Sequence, residues 1–382
     1  MTDPIAWIWG VGCTKFEYHS PLSFSELGQQ AITVAMNDAG VEQRDIDAVF
    51  CGTAYGGALA GQRVIGPLGL SGRKVVNVEN ACSSGSTALE LAVQYVRADE
   101  NRTALVVGLD KLSSLGSGAL PLSTEDPEVQ QGMIMPVVYA MRAQRYLQES
   151  GGQISDLAAV ARKARANGAR NELATQQTEV TIEDILESRK VAEPLTLFMC
   201  CPKADGAAAV VVSSMPSAGH DGNRVAISGL VTRAGEYKTG FREMGRSDLT
   251  RSVAQEAYTQ AGLAPKDIDV AEVHDAFAIA ELMYYEALGF AEPGEGWRLM
   301  RSGKTEISGT IPINPSGGLI ARGHPVGATG LAQVCEAYWQ MGGIAGRRQI
   351  DSEVRNVLTH CTGGGIAGYD HGACAVTILS AA

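Results

Sequence analysis

The stretch VNVENACSSGSTALELAVQYV, residues 76–96, decides the fold that the sequence predicts. A short β-branched run precedes Cys82 and apolar residues at helical spacing follow it, so the pattern predicts a buried strand, a turn and a helix. Gly85 lets the backbone pack closely at that turn. Cys82 therefore stands at a helix N-terminus, where unpaired backbone N–H groups are expected to favour its thiolate. The competing interpretation is a buried, unreactive cysteine.

Length and composition narrow the possible classes of protein. A chain of 382 residues exceeds one ordinary core and suits two similar halves. The net charge of −11 argues against nucleic acid or an anionic membrane surface as a general partner, although an anionic cofactor needs only a local patch. There is no apolar run of membrane-spanning length and no charged n-region of a signal peptide. Eight scattered cysteines suggest reduced thiols and a cytoplasmic protein.

The sequence contains an internal repeat. Residues 25–41, with the loop and strand that follow them, and residues 251–273 share an alanine-rich helical pattern, an Ala-Gly stop, an Asp-Ile-Asp step and a hydrophobic strand. CSSGSTAL, which begins at Cys82, falls on HPVGATGL, which begins at His324. GAAAVVVSS near the end of the first half matches GACAVTILS at the end of the second. A repeat of this length indicates a duplicated βαβ-rich unit and not a solenoid.

The repeat predicts the domain organisation and places two chemical groups together. We expect an N-terminal half at 1–218 and a C-terminal half at 219–382. The first half carries an insertion at about 113–195 that becomes helical and is expected to fold over the face of that half. Because Cys82 and His324 occupy equivalent strand-to-helix turns, a pseudo-twofold axis would let a nucleophile and a base face each other.

Four segments carry a resemblance to a known family. They are NACSSGSTAL with Cys82, VHDAF with His274, NPSGGLIARGHPVGATG with His324, and HCTGGGIAG with Cys361. In this order, and together with the helical insertion, they resemble the thiolase superfamily over essentially the whole chain. Within this superfamily, VHDAF is most similar to the corresponding segment of the sterol-carrier-protein-x-type thiolases and acetyl-CoA acetyltransferases. That branch usually has a cysteine two residues after the histidine, where this chain has Ala276.

The resemblance implies a fold class and a set of roles. The fold would be α/β, with two pseudo-symmetric βαβ-rich halves packed as a five-layer α-β-α-β-α sandwich and a helical loop-domain insertion in the first half. Cys82 would be the nucleophile, His324 its base, and Cys361 the group that moves the α-proton. His274 would act with His324 on the thioester enolate. Backbone N–H groups of Cys82 and Gly363 would hold the tetrahedral oxyanion.

Substrate contacts are predicted at two further segments. The turn formed by Ser316, Gly317 and Gly318 would let a pantetheine arm pass close to the backbone. The basic run from Arg162 to Arg170 is typical of a solvated face, although in thiolases the insertion helps to hold the CoA nucleotide. Coenzyme A is expected as substrate or product, with no covalently bound cofactor and no metal, since the cysteines and histidines near Cys361 match no zinc module.

The resemblance also implies partners. Thiolases pair through a sheet edge of the first half, so we expect a homodimer or a pair of such dimers. Stand-alone members of the branch work with a small OB-fold protein that carries a zinc ribbon and helps to receive CoA. The acidic chain has one modest basic run for a highly anionic nucleotide, which fits that arrangement. Unaided CoA binding by the insertion is the alternative.

The sequence therefore predicts an acyl-CoA C-acyltransferase, a 3-ketoacyl-CoA thiolase, that works through an acyl-Cys82 intermediate. One alternative is a thiolase-like retro-aldolase acting on a CoA-linked side chain such as that of a steroid. Such enzymes tend to lack the Cys and Gly-His-Pro positions that are present here. A decarboxylating ketosynthase would need a Cys-His-His set and normally takes carrier-protein substrates, whereas Cys361 is better suited to α-proton transfer. Hydroxymethylglutaryl-CoA synthase chemistry would want a glutamate near the nucleophile, and no segment offers one convincingly. A non-catalytic acyl-CoA or lipid carrier is the alternative from another class.

Overall fold

A computed structural model describes residues 4–99, 101–216, 225–240 and 243–381. The strands within these ranges are β1 Ala6–Cys13, β2 Ala48–Gly52, β3 Lys74–Val78, β4 Thr103–Lys111, β5 Lys190–Ala192, β6 Leu195–Thr196, β7 Asp205–Ser213, β8 Val225–Arg233, β9 Val270–Glu272, β10 Asn356–Gly363 and β11 Ala373–Ala381. The helices there are α1 Phe24–Ala39, α2 Ala60–Ile65, α3 Ser84–Arg97, α4 Pro127–Gln130, α5 Met135–Ser150, α6 Ile154–Gly168, α7 Ile182–Glu187, α8 Asp248–Ala261, α9 Ala278–Ala287, α10 Gly296–Arg301, α11 Gly318–Arg322 and α12 Thr329–Met341.

The main sheet shows the predicted repeat directly. Its strand order is β3-β2-β4-β7-β1-β8-β11-β10-β9. Read outward from the centre, β1-β7-β4-β2 in the first half corresponds to β8-β11-β10-β9 in the second. The halves join where β1 and β8 pair antiparallel. Helices α1 and α8 end in the same way, at Gly40 and Gly262, with φ of 64° and 66° in the left-handed region.

Helices form layers on and between the two halves of the sheet. Helix α1 packs on β1, β7 and β4, while α8 packs on β8 and β11. Helices α3 and α12 touch each other and strands from both halves, so they lie between them. Leu89 of α3 and Leu331 of α12 are fully buried in this central core. This arrangement matches the expected α-β-α-β-α order of five layers.

The insertion is helical, but it packs differently from the expectation. Helix α6 contacts α9, α10 and α11, and α5 contacts α9, all of which belong to the second half. Lys163 of α6 is fully buried and forms an ion pair with Glu281 of α9 at 2.5 Å. The expectation that the insertion covers the first half is therefore correct only in part: the N–H of Phe16 donates to the Leu173 carbonyl at 2.9 Å, but helices α5 and α6 pack on the second half.

Three further expectations concern strand β3, the boundary between the two halves and the absence of a membrane span. Strand β3 was expected to be buried, but it pairs only with β2 at the edge of the sheet and is partly exposed. The proposed boundary between the halves, at 218 and 219, lies outside the described residues. None of the helices in the described ranges combines the length and the hydropathy that crossing a membrane would require.

Candidate active site

The turn that carries Cys82 is held by local hydrogen bonds. The Asn80 N–H donates to Ser84 Oγ at 2.8 Å, and the Ser84 hydroxyl donates to the carbonyl of Ala81 at 2.6 Å. Ala81 has φ of 47°, which bends the chain sharply between β3 and α3. The bend presents the thiol at the start of α3, in a position that keeps some solvent exposure.

His324 reaches the same thiol from the second half. It follows Gly323, whose φ of 100° suits glycine, and its Nε2 lies 3.3 Å from Cys82 Sγ. The hydroxyl of Thr329 donates to the carbonyl of Pro325 at 3.1 Å and lies 2.7 Å from His324 Nδ1. Because that hydroxyl proton is already used, Nδ1–H is the donor to Thr329 and the lone pair on Nε2 faces the thiol.

A second thiol and a second histidine complete the cluster. Cys361 lies on β10, with its Sγ 3.3 Å from His274 Nδ1 and 2.9 Å from the carbonyl oxygen of Cys82. His274 follows β9, and its ring meets that of His324 edge-on at 5.1 Å between centroids. The structure thus brings together all four side chains for which catalytic roles are predicted.

Burial sets the protonation of the cluster at neutral pH. Burial, and to a smaller extent the charge of Asp110, raises the pKa of Cys82 to about 12. Nearby backbone N–H groups lower this pKa, but their effect is smaller. Burial lowers the pKa of His324 to about 3 and that of His274 well below its usual range. The resting pair is therefore a neutral thiol and a neutral imidazole. The expectation that the helix N-terminus favours the thiolate is wrong, because desolvation outweighs it.

Close approach of the two equivalent turns is made possible by glycine. A Cβ added to Gly85 would lie 2.5 Å from the carbonyl oxygen of Gly327. Asp110 stabilises the same contact, since its carboxylate accepts hydrogen bonds from the N–H of Gly327 at 2.7 Å and from the hydroxyl of Thr53 at 2.7 Å. The sequence contains no signal for Asp110, because nothing in its local segment distinguishes this residue. Thr329 could have been found, since it lies five residues after His324 in the same segment.

Backbone donors surround the thiol on one side. A Cβ added to Gly363 would lie 2.5 Å from the Cys82 nitrogen and 3.0 Å from the Ser83 nitrogen, so the missing side chain leaves that space open. The N–H of the next residue, Gly364, and that of Cys82 itself act on the thiol and lower its pKa. Gly364 was not among the predicted site residues, although it belongs to the same CTGGG segment.

The predicted substrate-binding turn has protein partners instead of an open face. Ser316 is fully buried and its hydroxyl donates to Glu272 at 2.7 Å. A Cβ on Gly317 would meet Gly168, and one on Gly318 would meet Asp275. These contacts explain the glycines by packing, and contact with a pantetheine arm stays a prediction.

Most side chains of the basic run between Arg162 and Arg170 form ion pairs or hydrogen bonds within the protein. Lys163 is buried against Glu281, Arg162 pairs with Glu306, and Arg165 donates to a backbone carbonyl. Arg170 is exposed. The expectation of a solvated face therefore holds for only part of this run, because α6 turns Lys163 into the interface with the second half, while Arg165 bonds to Thr178 of the insertion itself.

A cavity of about 560 Å³ opens beside the loop that follows Cys361. Residues 365–367 and 369–371 line one wall, and the insertion and the segment around α8 line the others. Met135 supplies an apolar side chain there, next to Gly365. Arg142 pairs with Asp370 at 2.5 Å, whereas Arg246 is exposed at this cavity.

A buried polar network supports that loop. Tyr139 of α5 lies 2.8 Å from His371 Nε2, and His371 Nδ1 lies 3.2 Å from Asp370. Tyr284 of α9 joins the network at Tyr139, with 3.4 Å between the two hydroxyl oxygens, and its hydroxyl lies 2.9 Å from that of Thr362 on β10. The insertion is thus linked to the strand end that carries Cys361. The sequence gives no signal for these contacts because they join segments far apart in the chain.

Comparisons with known proteins agree with this geometry. Residues 11–215 match the family described as "Thiolase, N-terminal domain", and residues 240–376 match "Thiolase C-terminal domain-like". The chain is 37% identical to the benzoylsuccinyl-CoA thiolase subunit BbsB of Thauera aromatica, over 94% of each sequence. It is also 37% identical to an acetyl-CoA acetyltransferase of Methanothermobacter thermautotrophicus, over 93% of this chain and 95% of that protein.

Two other similarities bear on the branch and the fold. Sterol carrier protein 2 of Gallus gallus is 34% identical over 97% of this chain and 71% of that protein. A solved structure described as "Ltp2-ChsH2(DUF35) aldolase" superposes with a TM-score of 0.85 at 27% identity, covering 99% of this chain and 98% of that one. The predicted fold and family resemblance are confirmed.

Proposed function

Because this chain belongs to the thiolase family, we propose that it is an acyl-CoA C-acyltransferase whose covalent intermediate forms on Cys82. The observation that carries the proposal is the 3.3 Å contact between Cys82 Sγ and the lone pair of His324 Nε2. The bond from Nδ1–H to Thr329 fixes the imidazole in the tautomer that can accept the thiol proton.

The first half-reaction cleaves a carbon–carbon bond. His324 takes the proton of Cys82 as the sulfur attacks the ketone carbonyl of a 3-ketoacyl-CoA. Backbone N–H groups of Cys82 and of Gly363 or Gly364 stabilise the oxyanion that develops. The bond between C2 and C3 then breaks. This leaves an acyl-Cys82 thioester and the enolate of the CoA thioester that keeps C1 and C2. Cys361 gives that enolate a proton at carbon.

The second half-reaction releases the acyl group. Cys361 recovers its proton from His324, which then accepts the proton of the CoA thiol as that sulfur attacks the acyl-Cys82 carbonyl. The Cys82 thiolate leaves and regains its proton from His324, so every group returns to its starting state. Read backwards, the same steps form the bond, with Cys361 removing the α-proton. His274, 3.3 Å from Cys361, would orient that thiol and bind the enolate oxygen together with His324.

We place the acyl-CoA in the cavity beside Gly365, because this cavity adjoins the loop that follows Cys361 and has Met135 as an apolar wall. Arg246 is exposed there, and its side chain could reach a phosphate of the CoA nucleotide.

We place the protein in the cytoplasm as a homodimer, on the strength of its reduced thiols and of the exposed edge strand β3. The names of two similar proteins, a thiolase "subunit" and a two-protein aldolase, support a second subunit.

The alternative activity is aldol cleavage of a CoA-linked side chain. It is supported by the similarity to the Ltp2-ChsH2(DUF35) aldolase. Aldol cleavage of a 3-hydroxyacyl-CoA needs no thiol nucleophile, so the paired Cys82 and His324 favour the thiolase reaction.

The deciding experiment is a panel of acyl-CoA substrates. Short, branched, aromatic and steroid-derived 3-ketoacyl-CoA thioesters are assayed for CoA-dependent cleavage, with and without any small OB-fold protein that a neighbouring gene encodes. The matching 3-hydroxyacyl-CoA thioesters are assayed without CoA. We expect cleavage of at least one ketone substrate that depends on CoA. Cleavage of hydroxyacyl substrates alone would favour the aldolase, and no turnover of either kind would favour a carrier.

A further inference from the structure

The active site contains donor atoms that suit a soft divalent cation. Within the described residues, one group of three His, Cys, Asp or Glu donors lies close enough to hold a metal ion, and it consists of Cys82, His274 and His324. Their ligand atoms all lie within 4.8 Å of one another. A second thiol, Cys361, lies 3.3 Å from His274 Nδ1. One thiolate and two imidazoles are ligands that zinc prefers.

The surroundings of the group also suit a metal. Zinc-bound histidine commonly donates its other ring N–H to a neighbouring acceptor, which fixes the ring and directs the free nitrogen at the ion. His324 already makes that bond to Thr329 at 2.7 Å, with Nε2 turned toward Cys82. Three protein ligands with a fourth position left for solvent or a small thiol is a stable zinc arrangement.

We propose that Cys82, His274 and His324 form a reversible Zn²⁺ site that inhibits the enzyme by occupying its nucleophile and base. The ion is an inhibitor and not a cofactor, because the reaction needs Cys82 Sγ and His324 Nε2 free. The metal replaces the thiol proton, which is released to solvent, while both imidazoles bind as neutral ligands. One proton is released per ion, so affinity should rise with pH. Binding rests on geometry alone, and only its inhibitory effect rests on the proposed function.

Cobalt titration tests the site without turnover. Reduced, tag-free, full-length protein is titrated with Co²⁺ under anaerobic conditions, and the thiolate-to-cobalt charge-transfer band is recorded. We expect one equivalent of Co²⁺ to give the band and Zn²⁺ to abolish it. Cys82→Ser should lose the band, while the matched control Cys200→Ser, in a cysteine outside the cluster, should keep it. Thr329→Val should weaken cobalt binding by about ten- to a hundredfold.

Wild-type protein alkylated at Cys82 is a second sample that requires no altered chain to fold, and it too should lose the band. A band that survives both the Cys82→Ser change and alkylation, or the lack of a stoichiometric band in wild-type protein, would overturn the proposal. If cobalt binds as expected but the metal-free protein cleaves no 3-ketoacyl-CoA, the proposed function fails while the metal site stands.

Discussion

Cys82 and Cys361 carry the same functional group in two different surroundings. Cys82 keeps some exposure and faces the lone pair of His324 Nε2. Cys361 is buried, and this burial raises the pKa of the Cys361 thiol well above its usual range. A thiol that resists ionisation in the resting state suits proton transfer to carbon, whereas one beside a base suits attack on a carbonyl.

This difference predicts that Cys361→Ala separates the steps. Acylation by a simple acyl-CoA requires no transfer of an α-proton, so Cys82 should still be labelled. Exchange of the α-protons of acetyl-CoA with solvent deuterium should fall by about a hundredfold or more. NMR of the recovered acetyl-CoA measures the exchange. Undiminished exchange in the variant would move the acid/base role to another group, with His360 the first to test.

Residue types at the site could be predicted from the sequence, but their protonation could not. The local motifs predict four side chains that the structure brings together, namely those of Cys82, His274, His324 and Cys361. The pKa of Cys82 depends instead on how deeply the turn is desolvated and on Asp110, a residue with no motif of its own. Desolvation depends on the packing of both halves, and a single segment carries no information about it.

At the scale of elements, glycine spacing bears on the proposed oxyanion site. A Cβ on Gly363 would enter the space beside the nitrogens of Cys82 and Ser83. Gly363→Ala is therefore expected to lower kcat by about a hundredfold, as loss of one oxyanion donor does. Gly66→Ala is the matched control, because a Cβ there meets nothing within 4 Å. Stopped-flow acylation compares the two, and equal rates would show that Gly363 does not border the oxyanion.

The repeat made the elements predictable, while the packing of the insertion was not. Helices α1 and α8 and their left-handed glycine ends follow from the matched Ala-Gly stops. The insertion joins the second half through Lys163 and Glu281, which lie far apart in sequence. A charged residue in a basic helical run normally indicates solvent, and the sequence gives no sign of its buried partner.

At the scale of the molecule, buried histidines should make stability fall in acid. Burial lowers the pKa of both His324 and His360 to about 3, compared with about 6.5 in an unfolded chain. Below pH 6.5 the unfolded state binds more protons, so each histidine reduces the free energy of unfolding by about 1.4 kcal/mol per pH unit, down to about pH 3.

Urea unfolding of wild-type protein and His360→Gln at pH 6, 5 and 4 tests this contribution. The buried carboxyl groups are common to both proteins and cancel in the difference. The variant should gain stability relative to wild type by about 1.4 kcal/mol for each pH unit lost. A difference that does not change with pH would show that His360 titrates normally in the folded protein.

The edge strand β3 predicts the oligomeric state. It pairs only with β2, and Val75 and Val76 are partly exposed on an edge with unpaired backbone groups. Light scattering should show a dimer, and Val76→Lys should shift it toward monomer. Leu186→Lys, at an exposed leucine of α7, is the control and should leave the dimer intact. A wild-type monomer at working concentrations would reject the prediction.

The formation of acyl-Cys82 is the central claim, and one measurement tests it most directly. Protein is mixed with an acyl-CoA, quenched in acid and analysed by intact and peptide mass spectrometry. Wild-type protein and Cys361→Ala should each carry one acyl group on the peptide that contains Cys82, and added CoA should remove it. Cys82→Ala, folded by circular dichroism, should carry none and should not turn over. An acyl group at another residue, or wild-type turnover in Cys82→Ala, would contradict the mechanism.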